Sequence, residues 1–219
     1  MTEQAGTIFH RLPPYVVRRD FLSPRDHADL LAWTLANKAL FKPATVTGNV
    51  VRPRFRSALH FKGEADWTGM LRARVMAILP DLIAEVGLVA FSSDKLEIEM
   101  VAYQDGGFIL RHVDTGTSEA RSARDRIASA VYYFHREPKP FSGGELRLMP
   151  LKPPPEGMPG HVDIAPEQNS LVAFPSWAPH EVLPVRAATP RFEDSRFAIN
   201  LWGLGAPNTA KLGNLDTTA

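Results

Sequence analysis

The sequence predicts an α+β chain in which helices buttress an antiparallel double sheet of jelly-roll type. Three observations carry that expectation. Two helix-forming segments lie in the first 94 residues. From Lys95 onward the texture changes to about eight short runs of alternating or β-branched residues. Gly106-Gly107, Gly143-Gly144 and Pro153-Pro154-Pro155 then break those runs apart. A length of 219 residues with 44% hydrophobic content is enough for one substantial core. The expected organisation is a single domain over residues 1–219: an N-terminal helical and strand part (1–94), a jelly-roll core (95–204) and a tail (205–219).

Taken in order, Tyr15-Val16-Val17, between Pro13-Pro14 and Arg18-Arg19, is a short entry strand. Ser23-Pro24-Arg25-Asp26 starts a helix, because Ser caps an orphan N–H, Pro has no N–H to lose in the first turn, and Asp26 suits the positive end. This helix is expected to reach about Ala39, with Ala28, Leu31, Leu35 and Ala39 on one apolar stripe. Leu40 to Thr47 is loop-like. Val50 to Phe61 alternates as a strand broken at Pro53, with Arg52, Arg54 and Arg56 on one side and Phe55 and Ser57 on the other. Asp66 is expected to cap a second helix to about Leu79, with Pro80 kinking it or starting another through Val86, and Gly87 as the stop. The expected core strands are Leu96 to Tyr103, Phe108 to Val113, Ile127 to Phe134, Glu145 to Met149, His161 to Ile164, Ser170 to Phe174, Glu181 to Val185 and Arg196 to Leu201. The last ten residues or so are polar and small and are expected to fray.

Composition removes several function classes. A formal net charge of +1 makes no electrostatic case for nucleic acid or a membrane surface. With no cysteine, a disulfide scaffold, a thiolate zinc site and a cysteine nucleophile are all excluded. No apolar run approaches a membrane span, and Met1-Thr2-Glu3-Gln4-Ala5-Gly6 lacks the pattern of a signal peptide, so the expected compartment is cytoplasmic.

The chemistry-bearing stretch is Arg111-His112-Val113-Asp114-Thr115-Gly116. Side chains at i and i+2 of a strand share a face, so His112 and Asp114 can reach one ion. The same tripeptide recurs at His161-Val162-Asp163. A 2-His-1-carboxylate facial triad, which leaves open positions on a non-haem Fe(II), needs a second His from elsewhere in the sheet. His180 follows a turn, Pro175 to Pro179, and opens an apolar strand. It lies 68 positions beyond His112, room for several strands, but only 19 beyond His161, too few to travel around a double sheet and return. His112 and Asp114 are therefore preferred, and His161 with Asp163 is a loop-end His and a solvated acid. A 2-oxoglutarate cosubstrate would further need a planar cation for its distal carboxylate, and Arg196 opens the last strand.

Six features stand in one order: Tyr103-Gln104-Asp105-Gly106-Gly107, His112-x-Asp114, Tyr132-Tyr133, Phe141-x-Gly143-Gly144-Glu145-Leu146, His180-Glu181-Val182-x-Pro184-Val185, and Arg196-Phe197-Ala198-Ile199-x-x-Trp202. Over residues 95–204 the chain thereby resembles the prolyl 4-hydroxylase-like branch of the Fe(II)/2-oxoglutarate-dependent dioxygenases. The resemblance implies that His112, Asp114 and His180 ligate Fe(II), that Arg196 and Tyr133 hold the distal carboxylate of 2-oxoglutarate, and that Tyr103 lines the pocket with Trp202 beside it. It implies hydroxylation with O2 as oxidant and release of succinate and CO2, and it allows for L-ascorbate. The carboxylate at Asp114 speaks for hydroxylation over halogenation. The implied partner is a peptide, protein or small-molecule substrate such as a peptidyl or free proline, another amino acid or a peptide-like natural product, with no nucleic acid and no membrane. The oligomeric state is left open.

Two departures stand out. The gap from His180 to Arg196 is 16, longer than is usual in the family, which makes Arg191 a rival cation. Asn169-Ser170 replaces the usual Gly before the Leu-Val-x-Phe strand, and Asn tolerates the same left-handed turn. Trp177 is expected to pack at its turn, and His10, His27, His60 and His135 to be surface or satisfied histidines. Arg52, Arg54, Arg56, Arg121, Arg124 and Arg126 form either a solvated face or a basic rim for an acidic substrate. A catalytically silent jelly-roll binding module is the alternative from another class.

Overall fold

The computed structural model describes residues 8–46, 50–93, 95–116 and 125–205. In chain order the elements are β1 (Val16–Arg18), α1 (Pro24–Ala36), β2 (Lys42–Pro43), β3 (Arg56–Ser57), β4 (Leu59–Phe61), α2 (Asp66–Glu85), β5 (Leu96–Tyr103), β6 (Phe108–His112), β7 (Asp125–Phe134), β8 (Phe141–Gly143), β9 (Leu146–Leu148), β10 (Val162–Ile164), β11 (Ser170–Pro175), β12 (His180–Val182), β13 (Val185–Ala187) and β14 (Arg196–Gly205). They form a seven-stranded sheet ordered β1-β11-β7-β14-β5-β4-β2, a five-stranded sheet ordered β10-β9-β12-β6-β3, and the small β13-β8 pair. The registered pairs are antiparallel, as the jelly-roll expectation requires.

Strand alternation divides the large sheet between two cores. Met100, Ala102, Ala130, Tyr132, Phe134, Phe197, Ile199 and Leu201 face the helices and pack with Leu30, Trp67, Leu71, Val75 and Leu82. Their odd-even neighbours turn the other way: Val131, Tyr133 and Ala198 pack on Leu146 and Leu148 of the smaller sheet, and Val101 and Tyr103 pack on Ile109 and Val182. The period of two thus puts β5, β7 and β14 between a helical buttress and a second sheet.

Several local expectations change. Ser23 caps α1 by accepting from the Asp26 N–H, but the helix ends at Ala36 with Asn37 as its cap. Its buried positions are Leu30 and Thr34; of the predicted stripe, Leu31 and Leu35 are half-buried and pack against the core, whereas Ala28 and Ala39 are exposed. Thr34 tolerates burial because its hydroxyl donates to the Leu30 carbonyl at 2.8 Å. Pro80 does not start a new helix, since α2 runs unbroken through it to Glu85. Its ring is on the exposed side of the helix. Val50 to Phe61 is not one strand but a bridge, a turn and the short β3 and β4. Glu181 to Val185 also divides, because β13 leaves the smaller sheet to pair with β8, an unpredicted strand. Asn169 takes the left-handed conformation (φ +52°), and its side chain clasps both backbone groups of Leu22 at 2.9 Å. Thr47, Arg121, Arg124 and the predicted frayed tail lie outside the described residues. No helix among the described residues is long and apolar enough to cross a membrane.

Candidate metal centre and cosubstrate pocket

His112 ends β6 and His180 begins β12, and the two residues are direct partners across the antiparallel ladder. One extra residue on β6 between this pair and the Val182–Ile109 pair bends the strand at the site, a common use of a bulge. The imidazoles lie 4.2 Å apart between centroids. Each ring sets its Nδ1 2.9 Å from a carbonyl two residues earlier, Leu110 for His112 and Ala178 for His180. A proton on Nδ1 satisfies that carbonyl and leaves the Nε2 lone pair of both rings for an ion.

Asp114 follows β6 and completes the set. Its carboxylate oxygens lie 3.8 Å from His112 Nε2 and 3.6 Å from His180 Nε2. Both distances are under about 4.2 Å, twice a metal–nitrogen bond of about 2.1 Å, so one ion can bridge each pair. Among the described residues this is the one group of three ligand-bearing side chains close enough to share a metal. The Asp114 and Thr115 N–H groups donate to the Ser176 carbonyl at 2.9 and 3.2 Å, fixing the backbone. Ser129 on β7 donates to Asp114 Oδ2 at 2.7 Å and is itself 2.8 Å from the Ser176 hydroxyl.

Electrostatics favour an ionised Asp114 and a neutral His112. Burial opposes ionisation of Asp114, but the two imidazoles, the Ser129 hydroxyl and the Trp202 indole outweigh it and hold the carboxyl below its ordinary range. Burial and the neighbouring His180 push His112 down to about 4, so its ring is neutral at neutral pH.

The triad opens into a cavity of about 480 Å³ between the two sheets. Alternation supplies its lining: Glu99 and Tyr103 from β5, Ser129, Val131 and Tyr133 from β7, and Arg196, Asn200 and Trp202 from β14. Arg196 is 1% exposed. Its Nε donates to the Gly144 carbonyl at 2.7 Å, and its guanidinium lies against the rings of Tyr133 and Tyr103, 4.8 and 5.0 Å from their centroids. No carboxylate of the described residues pairs with it, and one terminal nitrogen is buried without a hydrogen-bond partner, as is the Tyr133 hydroxyl. Burial pushes that phenol up to about 12 and Tyr103 in the same direction, so both are neutral donors.

Gly144 is part of this construction. It has φ +71°, and a Cβ there would lie 2.7 Å from Arg196 Cδ and 2.9 Å from Val185 Cγ2. Only glycine lets the backbone come this close to the guanidinium.

The remaining candidates fall elsewhere. Arg191 is largely exposed and pairs with Asp194, outside the cavity. Asp163 is held by Arg147 in a two-point contact at 2.7 and 2.8 Å, and His161 stands beside it on the surface. Tyr132 faces the helices, near His27 and Asn169. Trp177, expected to pack, is 38% exposed, between the fully buried Ser176 and Ala178. The four arginines of this set that lie among the described residues are in different settings. Arg52 and Arg54 are exposed, Arg126 pairs with Glu97 and stacks 3.7 Å over Trp202, and Arg56 is buried in the cavity wall against Glu99. Sequence reasoning missed Ser129, Ser176, Glu99 and Asn200. Ser129 and Glu99 had a usable signal, since each lies four residues before a cavity tyrosine on the same strand face.

The family model of the 2OG-Fe(II) oxygenase superfamily matches residues 98–203. A PKHD-type hydroxylase of Synechocystis, itself uncharacterized, is 30% identical over 204 residues, covering 91% of this chain. The match spans 66% of that relative's own length. A prolyl-4-hydroxylase from Pseudomonas putida superposes with a TM-score of 0.63 at 26% identity, over 87% of this chain and 92% of that one. A Trichoplax adhaerens prolyl hydroxylase, solved with a hypoxia inducible factor oxygen degradation domain peptide, shares the fold with a TM-score of 0.63 at 21% identity, over 88% and 84% of the respective chains.

Proposed function

Because this chain belongs to the 2OG-Fe(II) oxygenase superfamily, we propose that it is an Fe(II)- and 2-oxoglutarate-dependent dioxygenase of the prolyl 4-hydroxylase-like kind, hydroxylating a C–H bond of a peptidyl or amino-acid-like substrate and releasing succinate and CO2. The observation that carries the reading is the pairing of two half-sites in one cavity. One is a facial set of two imidazoles and a carboxylate; the other is a buried guanidinium with no carboxylate partner among the described residues.

His112 Nε2, His180 Nε2 and the Asp114 carboxylate would hold Fe(II), with Ser129 keeping Asp114 in place. The group supplies, when bound with 2-oxoglutarate and O2, the oxidising power for C–H hydroxylation. The chain supplies binding and orientation. A buried cation without a counter-charge is costly, and the orphaned Arg196 nitrogen and Tyr133 hydroxyl are together the donors a carboxylate needs. Held at that end, 2-oxoglutarate would be oriented toward the triad before chemistry, which is the larger part of what a protein adds to such a reaction. The sheets on both sides keep the cavity walls apolar at Val131, Ile109, Leu146 and Val182.

The test is anaerobic reconstitution with Fe(II) and 2-oxoglutarate, followed by O2 and quantitation of succinate. Wild-type protein is expected to turn over, with Asp114→Ala and His180→Ala losing turnover and Fe(II) binding together. Wild-type-level succinate from either variant would overturn the metal assignment.

A further inference from the structure

A second guanidinium lines the same cavity and takes no part in the two half-sites above. Arg56 is 9% exposed. Its Nη1 donates to the Thr45 carbonyl at 3.0 Å and its Nη2 to Glu99 Oε2 at 3.0 Å. Its Nε is buried with no partner. Glu99, in contrast, is saturated: it accepts from Arg56, from His60 Nδ1 at 2.7 Å and from Asn200 at 3.4 Å, with the Lys62 ammonium 3.4 Å away. A carboxylate has about four lone-pair sites, and all are used.

The free capacity on this wall is therefore donor capacity. Lys62 lines the cavity with its side chain 53% exposed, and only one of its three N–H groups is needed for Glu99. Arg56 and Lys62 carry two positive charges against the one negative charge of Glu99. The cavity volume of about 480 Å³ is within the range of roughly 300–1,000 Å³ that encloses a drug-sized ligand, which leaves room for a second small group beside 2-oxoglutarate.

Resting on the dioxygenase reading, we propose that Arg56 and Lys62 form an anchor for a free carboxylate on the primary substrate, with Glu99 as the residue that positions Arg56. The substrate would then be a free amino acid or a chain terminus in preference to an internal peptide segment, whose carbonyl carries no full charge. Glu99 holds the guanidinium from one side while the Thr45 carbonyl holds it from another, so the group is positioned before the substrate arrives.

The experiment uses the full chain loaded with Mn(II), in place of Fe(II), and saturating 2-oxoglutarate without O2. Free amino acids and N-acetyl amino acids, the latter standing for a chain terminus, are each titrated calorimetrically against their own amides. At least one acid is expected to bind about tenfold or more tightly than its amide, the least that a charge-assisted hydrogen bond is worth. Arg56→Met and Lys62→Met should collapse that ratio, and Glu99→Gln should reduce it, a readout that general loosening of the fold would not move. Lys62→Met removes only a half-exposed side chain, so it stays informative should Arg56→Met fail to fold. No preference for any acid, or a preference that survives in Lys62→Met and in every folded Arg56 variant, overturns the anchor while leaving the dioxygenase reading standing. Failure to take up Mn(II) and 2-oxoglutarate at all would overturn both.

Discussion

Tyr133→Phe removes one oxygen atom and separates cosubstrate binding from folding by the sign of its effects. The Tyr133 side chain is wholly buried, its hydroxyl has no protein partner, and its ring lies against Arg196. The substitution keeps nearly the whole ring volume, so the core is left without a cavity of consequence. Folding loses no protein–protein hydrogen bond, and the apo protein is expected to melt no lower than wild type. Binding is different. A hydrogen bond to a charged group is worth about 1.5–3 kcal/mol, a factor of roughly 10–150 in affinity for 2-oxoglutarate. Arg196→Met should cost more, about 3–5 kcal/mol, because it leaves the ligand's carboxylate buried and unpaired. The assay is calorimetric titration of 2-oxoglutarate into Mn(II)-loaded protein under argon, with thermal unfolding of the same samples. A Tyr133→Phe affinity within twofold of wild type, joined to a melting point several degrees lower, would show that the hydroxyl serves the fold and would refute the assignment.

Three further outcomes are expected. Gly144→Ala places a methyl group against Arg196 Cδ and Val185 at a positive φ, costing about 1–2 kcal/mol in backbone strain alone. It should lower both the melting point and 2-oxoglutarate affinity, and unchanged affinity by calorimetry would detach Gly144 from the guanidinium's placement. Glu99 is opposed by burial, but His60, Arg56 and Lys62 outweigh this and pull it from 4.5 down to about 2. A folded value below the unfolded one contributes stability that is present above pH 4.5 and lost as the pH falls toward 2, at most about 3 kcal/mol. Urea unfolding across that window should show a shallower acid slope in Glu99→Gln, and an unaltered slope would place the acid sensitivity elsewhere. Pro80→Ala restores a backbone donor on the exposed side of α2, so stability should rise by up to about 3 kcal/mol, read as a higher melting temperature. A fall would mean that the ring packs more usefully than its exposure suggests.

The parts of this molecule legible in the sequence were those governed by short-range periodicity. Leu96 to Tyr103 is legible to the residue, and Ser23-Pro24 marks the start of α1, because alternation and capping are local. The same period of two separates Tyr132 from Tyr133, sending one to the helices and the other to the cavity. What could not be read was set by partners distant in the chain. β8 and β13 are three residues each and exist as strands only because they pair with one another. Arg56 sits in a run of alternate arginines that reads either as a solvated face or as a basic rim. Its burial depends on Glu99, 43 positions later, and nothing within the run distinguishes it from Arg52 or Arg54. The α1 stripe is legible only in part, with Leu31 and Leu35 on the core: Thr34 counts as polar in a helical pattern, yet it is buried by hydrogen-bonding its own helix.

The long segment between His180 and Arg196 bears on why the second cation is Arg196. An insertion would ordinarily loosen the register of the strand that follows it. Here the inserted residues fold back on the core. β13 pairs with β8, a 3-10 turn covers Phe192–Asp194, and Phe192 packs edge-on against Phe41. Asp194 then closes the segment, accepting from Arg136 at 2.6 and 3.0 Å, from Arg191 at 3.1 Å and from Thr189. Arg191 is thereby committed to the clamp, two residues after Thr189 and three before the acid it serves. Arg196 emerges directly behind the clamp in register with Tyr103 on β5, and Ala198 sits opposite Tyr133 on β7. With that register the odd–even rule sends residues 196, 198, 200 and 202 to the cavity side, so the clamp at Asp194 determines which arginine faces the triad. Shifting the register by one residue would instead turn Arg196 into the helix-packed apolar core.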